Sequence, residues 1–478
     1  MSDHRRLARA ELQRPAIVGG LAVALAAIGI GAWAVGGTAQ ATAPVQPSTL
    51  VASATAETSQ FTCGGFSVGA GSVAHATISM VNTTGATVRA TVAIASDAGA
   101  RAATTIEVAP GSTASIQPGD MVSSGHFAAA TVLVHGGGVA VTERIDGSNG
   151  VSDTPCSSTT SSSWYFAGNS SAKGQDPVVT LVNPSSTPAV AGMTFITGAN
   201  GAATPQGAQG LVIGPQSAIS VHVASLVPHG GELATLVQAT QGSVVAFMTQ
   251  ISPGPVASAV TLGEPSVEAS WLLPRAVATP GASVAVQVAN PTSSVQQVSV
   301  HVRLVSGWVA PWTVSIDPFT VASIPTAPSS RVPAGSVYAA TVHASGPGVV
   351  AFLATTDTTA SSSGWGITPL VDATAAGWGH WVVPAPAGVV RSGVSLFNES
   401  SSPVSVSIRA VVGASTTAAG QAGSVTVAPR SVTTLSSTQL KPSNGSTLEV
   451  TSSGPLAVAQ SFFGADPGVG TLNAMPLG

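Results

Sequence analysis

Four stretches of the chain alternate apolar and small polar residues and end on asparagine, at Asn82, Asn183, Asn290 and Asn398. The residues two and four places before each asparagine are apolar: Met80 and Ile78, Leu181 and Val179, Val288 and Val286, Leu396 and Val394. Period two marks a strand with one buried face. Turn formers follow, as in Pro184-Ser185-Ser186 and Pro291-Thr292-Ser293, and then a second alternating strand such as Val298, Val300 and Val302. Asparagine, turn and strand together predict a hairpin. Each of these hairpins lies inside a longer set of landmarks. An aromatic strand start precedes it, at Phe61, Trp164, Trp271 or Trp381. A strand ending in proline follows, at Pro110, Pro215, Pro318 or Pro429, and then a closing strand, Gly138-Val139-Ala140 in the first copy and Val349-Val350-Ala351-Phe352 in the third.

The asparagines are 101, 107 and 108 residues apart, a domain-sized period, long enough for each copy to enclose a core. Short strands, frequent turns and no helical periodicity predict an all-β chain of tandem antiparallel β-sandwich domains with immunoglobulin-like architecture. The copies are placed at 59–158, 159–266, 267–376 and 377–478. Ser/Thr-rich joints, Ser157–Ser163 and Thr358–Ser363, are expected to be exposed and flexible.

Ahead of the first copy, residues 1–14 carry Arg5, Arg6, Arg9 and Arg14, and residues 15–37 carry no charge. At about 1.5 Å per residue such a run crosses the ~30 Å hydrocarbon layer as one helix. The arginines then stay in the cytoplasm and the bulk of the chain lies outside. Two readings stay open: a retained single-pass anchor, favoured by the length of the run, or a signal peptide cut after Ala39-Gln40-Ala41, giving a secreted protein. Residues 38–58 read as a Pro/Ala/Thr-rich spacer.

Composition narrows the partners. Charged residues make up 7% of the chain and the formal net charge is -4, with lysine only at Lys173 and Lys441. Nucleic acid is excluded, because phosphate binding needs a Lys/Arg footprint. Cys63 and Cys156 are the two cysteines. In an exported chain they predict one disulfide stapling the first copy, with a loop of about 90 residues and a chain-entropy contribution of roughly 4–5 kcal/mol.

No catalytic, cofactor or metal constellation emerges. Glu143 and Asp146, in Glu143-Arg144-Ile145-Asp146, are the closest suggestive carboxylates and read as a local ion pair at a strand end. The nine histidines form no zinc-ligand spacing. Gly136-Gly137-Gly138 lacks the Lys-Ser/Thr of a phosphate loop. Tryptophan is unevenly spread: Trp308, Trp312, Trp365, Trp378 and Trp381 are five of the eight. Trp365 and Trp378 are each flanked by glycines, which leaves an indole face open for stacking on a sugar or partner. These five residues either pack the junction of copies three and four or form a ligand surface.

The Arg-rich start with one apolar span, the Cys63-Gly64-Gly65 run and the Val-x-Leu-Val-Asn183-Pro184 type of strand resemble an actinobacterial family of uncharacterised membrane proteins, domain-of-unknown-function family 5719. The resemblance implies an envelope location and brings with it neither an activity nor a functional residue. The expectation is a non-enzymatic, membrane-anchored scaffold or interaction module outside the cytoplasm, held to the lipid bilayer by its N-terminal helix and facing an envelope protein. The alternative is a cell-wall glycan-binding protein using the tryptophans of copies three and four.

Overall fold

In the computed structural model, the described residues are 47–69, 75–147, 150–198, 201–252, 258–357, 365–385, 391–441, 443–462 and 471–478. They form eight antiparallel sheets, two per sequence copy. The expected membrane span 15–37 lies outside the described residues, and among them no helix is long and apolar enough to cross a membrane.

Numbered around the ring, blade 1 holds strands Thr113–Ile116, His75–Asn82, Val139–Gly147 and Gly150–Pro155, and blade 2 holds Ser59–Ser67, Phe127–His135, Val88–Ser96 and Arg101–Val108. The second copy supplies blades 3 and 4, built on Asp176–Asn183 with Val245–Ile251 and on Ser163–Asn169 with Leu233–Gln241. The third supplies blades 5 and 6, on Ala282–Asn290 with Val350–Asp357 and on Ser270–Val277 with Val337–Ala344. The fourth supplies blades 7 and 8, on Arg391–Asn398 with Ala457–Phe462 and on His380–Val383 with Leu448–Ser452. In every copy the chain alternates between its two blades, so neither is a simple meander.

Here the expectation of tandem immunoglobulin-like sandwiches is corrected. The chain is all-β, but its sheets are arranged as an eight-bladed β-propeller. A free-standing sandwich leaves the outer face of each sheet to water, whereas these blades also pack between copies. Blades 2 and 3 share one apolar core that runs through copies one and two. Blades 4 and 5 meet through Ile196, Ala234, Val321 and Phe352, and blades 6 and 7 through Leu272, Ala339, Phe397 and Val432. Blade 8 returns to blade 1 through Val382, Met475, Val81 and Ala140. The closure includes residues assigned above to the spacer: Val51, fully buried, pairs with Leu477, and its amide donates to the Pro476 carbonyl at 2.8 Å. Near the axis the innermost strands abut, with Val260 N donating to Ser152 Oγ at 3.1 Å and Asn473 Nδ2 to the Pro369 carbonyl at 2.9 Å.

Burial follows from this packing. Strand Asp176–Asn183 is buried at every position after its first, on both faces, whereas the more peripheral Val88–Ser96 alternates. The polar positions of the inner strands, such as Thr180, Thr341 and Ser395, are fully buried. Small hydroxyls fit between blades where a long charged side chain would not, so a chain with 7% charge suits this packing.

The proline landmark is a turn in each copy. The residue after it has positive φ: Gly111 (58°), Gln216 (48°), Phe319 (54°) and Arg430 (49°). A Ser or Thr hydroxyl then donates back to the carbonyl three residues earlier, at 2.7–2.8 Å in all four copies. Gly111 is required on a second count, since a Cβ there would lie 2.2 Å from the Gly413 carbonyl oxygen. Arg430 is exposed. Arg430→Gly is therefore expected to stabilise the protein by about 0.5–1 kcal/mol, read as a higher urea midpoint, by relieving the left-handed conformation.

Candidate functional site

Between blades 2 and 3 a cleft of about 520 Å³ opens outside the packed centre. One wall is Gln60, Thr91, Ala93, Ala95, Thr131 and Leu133, and the other is Val182, Asn183, Pro184, Gln216 and Ser217. Arg101 spans the two, its Nη2 donating to the Pro215 carbonyl at 3.0 Å. A second hollow of about 480 Å³ on the same seam is lined by Asp97, Gly125, His126, Ile219 and Ser220.

Register explains why this seam is open. Ala93 pairs with Thr131. The corresponding pairs are Thr194 with Leu236 in copy two, His301 with Thr341 in copy three, and Arg409 with Glu449 in copy four. Two residues on, Ala95 corresponds to Ile196, Arg303 and Val411. Copy one therefore places alanine where the other copies place larger side chains. Strand patterning alone could not find the cleft, but comparing the copies at seam-facing positions would have.

Polar groups order both walls beside the cleft. Asp97 Oδ1 accepts from His126 N at 2.9 Å and Oδ2 from Phe127 N at 3.2 Å. Asp176 Oδ2 lies 2.6 Å from His222 Nδ1, and the His222 ring meets Phe127 edge-on at 5.9 Å, so an imidazole of blade 3 rests on blade 2. The cleft itself offers hydroxyls, amides and one guanidinium over an apolar floor. That palette suits recognition and provides neither nucleophile–base pairing nor paired carboxylates.

The five tryptophans singled out by sequence do not form one surface. Trp381 is buried and its Nε1 has no hydrogen-bond partner among the described residues, whereas the corresponding Trp271 of copy three donates its Nε1 to the Val349 carbonyl at 2.8 Å. Trp308 and Trp312 lie on the outer edge of blade 6, paired with Arg303 and Val300. Trp308 is 74% exposed, and the Arg331 guanidinium lies over the half-buried Trp312 ring at 4.7 Å. Trp365 pairs through its backbone with Thr356 in blade 5, and half-buried Trp378 ends the short 3-10 turn Ala375–Trp378.

Cys63 and Cys156 are joined by a disulfide, with Cα atoms 4.6 Å apart, linking blade 2 to the segment leaving blade 1. The reading of Glu143 as part of a strand-end ion pair is corrected. Its side chain is fully buried, and Oε2 accepts from Gly64 N at 2.9 Å. Burial pushes its carboxyl up to about 8, against the smaller lowering effect of the Gly64 amide. Arg144 in that stretch pairs instead with Asp153, at 3.6 Å. Where copy two passes to copy three, Glu264 is pushed well above the usual carboxylate range by burial and then by the charges of Asp372 and Glu268. In copy four, buried Arg391 donates to Gln460 Oε1 at 2.6 Å and to the Ser446, Val383 and Pro384 carbonyls.

The profile of a family of unknown function, DUF5719, matches residues 128–436. No curated protein matches the chain. Among solved structures, the tetra-tandem repeat in the extending region of a large adhesion protein aligns at 11% identity over 87% of this chain and 98% of that one, with a TM-score of 0.11. The α-L-rhamnosidase of Streptomyces avermitilis, complexed with L-rhamnose, aligns at 10% identity over 91% and 57%, also with a TM-score of 0.11. Neither alignment bears on fold or function.

Proposed function

Since the chain belongs to DUF5719, a family of unknown function, we propose from its own geometry that it is a non-enzymatic interaction module of the cell envelope. In this reading its N-terminal apolar segment tethers it to the membrane and the propeller stands outside the cytoplasm. The cleft between blades 2 and 3 carries the proposal: it is lined by hydroxyls, amides and one guanidinium, while the 4–5 and 6–7 seams bury apolar clusters. The Cys63–Cys156 disulfide supports the location, because such bonds persist in oxidising compartments. The low charge and the hydroxyl-rich lining favour a neutral partner over one steered by long-range electrostatics.

The test is photo-crosslinking in intact cells from a probe residue placed at Gln216, with exposed Val295 as the control position. Discrete adducts from position 216 that vanish on Ala93→Trp, which fills the cleft, are expected. Identical patterns from both positions would remove the cleft from the account. A cell-wall glycan is the second reading, favoured by the 74% exposure of the Trp308 indole. It predicts that Trp308→Ala weakens binding to purified cell wall by about tenfold, since losing a stacking platform costs roughly 1–2 kcal/mol.

A further inference from the structure

The disulfide has homologous positions in all four copies. Cys63 corresponds to Phe166, Leu273 and Val383, each two residues after the landmark aromatic. Cys156 donates its amide to the Val141 carbonyl, as Gly263, Leu370 and Ala474 donate to Ala246, Ala351 and Val458. Glu143 pairs with Ile78, as Met248, Leu353 and Gln460 pair with Val179, Val286 and Val394. The equivalent trios are therefore Phe166, Gly263 and Met248; Leu273, Leu370 and Leu353; and Val383, Ala474 and Gln460. In copy two the Phe166 ring occupies the space a side chain at Gly263 would need, 2.7 Å from its Cβ position. Apolar packing thus suffices at this place in the fold, and a disulfide is not needed to fill it.

Copy one replaces all three neighbouring positions with groups that bind metals. A staple accounts for the two cysteines and leaves the glutamate unexplained. Glu143 is fully buried, and while Oε2 accepts from Gly64 N, Oε1 has no hydrogen-bond partner. A carboxylate oxygen of Glu143 and the two sulfurs lie within 4.8 Å of one another, the only such set of three His, Cys, Asp or Glu ligand atoms among the described residues.

We propose that Cys63, Cys156 and Glu143 form a thiol-gated site for one thiophilic divalent cation of the zinc class, of which the disulfide is the closed state. Opening takes two electrons and two protons: a dithiol is oxidised to its disulfide, or a phosphine to its oxide with water supplying the oxygen and the protons, while the S–S bond breaks and two thiols form. The cation then displaces one proton from each thiol and one from the carboxyl, three in all, which pass to solvent. Reoxidation by a disulfide oxidant removes two electrons from the thiolates, remakes the S–S bond and expels the cation. Zinc bonds of about 2.3 Å to sulfur and about 2.0–2.2 Å to oxygen set tetrahedral ligand separations of roughly 3.5–3.8 Å, inside the present envelope once the sulfurs part. The Gly64 amide fixes one carboxylate oxygen and leaves the other to the cation, an orienting role typical of groups behind a metal ligand.

Cobalt(II) titration of the full chain after phosphine reduction tests this. One equivalent bound with thiolate-to-cobalt charge-transfer absorption, displaced by zinc, is expected, and the unreduced protein should take up none. Glu143→Gln keeps both thiols and should bind at least about tenfold more weakly, since even outer-shell groups at metal sites are worth 10–100-fold. The proposal fails if reduced wild type binds no more cobalt than the Cys63→Ser/Cys156→Ser variant. It fails equally if Glu143→Gln matches wild type, which is also what two thiols in an unfolded reduced chain would give.

Discussion

Asn290→Ala is expected to lower unfolding free energy by about 3–5 kcal/mol, the range of losing a buried hydrogen-bond network, seen as a large drop in the urea midpoint. Asn290 is fully buried at the end of its strand. Its Nδ2 donates to the Ser294, Ile316 and Asp317 carbonyls at 2.8, 3.1 and 3.0 Å. Its Oδ1 accepts from Thr292 N at 3.0 Å and Thr292 Oγ1 at 2.7 Å. One amide thereby closes the hairpin turn and ties it to the strand that ends at the proline landmark. Alanine leaves the Ile316 carbonyl in the interior without this donor, and water has little room to replace it. Asn82, Asn183 and Asn398 make the same five bonds within 0.2 Å. Each should therefore show a loss of similar size. Asn290→Asp should be at least as damaging at neutral pH, because it sets an anion against three carbonyl oxygens. An alanine variant that unfolds within 1 kcal/mol of wild type would show that the turn holds without its clamp.

These clamps also mark where sequence reasoning stopped. The asparagines were legible as strand ends followed by turns, because period-two apolar positions run up to each of them. Their bonds to the strand of the proline landmark were not, since those contacts cross 26 to 31 residues. The four copies and the all-β class could be read for the same reason. The ring could not. Its second buried face is written in Thr180, Ser395, Thr341 and Gly64, residue types that a patterning argument assigns to water. Closure depends on Val51 meeting Leu477, at opposite ends of the described chain. Ser157 was expected in an exposed joint, yet it is buried, with its hydroxyl donating to the Ser48 and Thr159 carbonyls. The scarcity of charge was the one compositional sign that most strands face protein on both sides. The tryptophans, read as either junction packing or a ligand surface, could not be placed for a related reason: though close in sequence, Trp308, Trp312, Trp365 and Trp381 fall on different strands of blades 5, 6 and 8, and Trp378 on the 3-10 turn before blade 8.

Glu143→Gln is expected to raise stability at pH 7.5 by about 2–4 kcal/mol and to flatten the dependence of stability on pH. In the folded chain burial raises the Glu143 carboxyl to about 8, while in the unfolded chain it titrates near its ordinary value of 4.5. Below pH 4.5 both states hold the proton, and the residue adds no pH dependence. Between 4.5 and about 8 the unfolded state has released a proton that the folded state keeps, so stability falls as pH rises, by up to about 1.4 kcal/mol per pH unit. Above about 8 both states are ionised and the full cost is present. Glutamine removes the titration and keeps an oxygen for the Gly64 amide. Its new amide group has a precedent in copy four, where Gln460 Nε2 donates to the Pro384 carbonyl at 2.7 Å and Pro384 holds the place of Gly64. Urea denaturation of both proteins from pH 5 to pH 9, with the disulfide kept oxidised, measures the effect. Wild type should lose stability steadily to about pH 8, and the difference between the two proteins should widen with pH over that range. Parallel curves would mean that Glu143 is ionised in the folded protein at neutral pH, with its second oxygen satisfied by a group that moves to meet it.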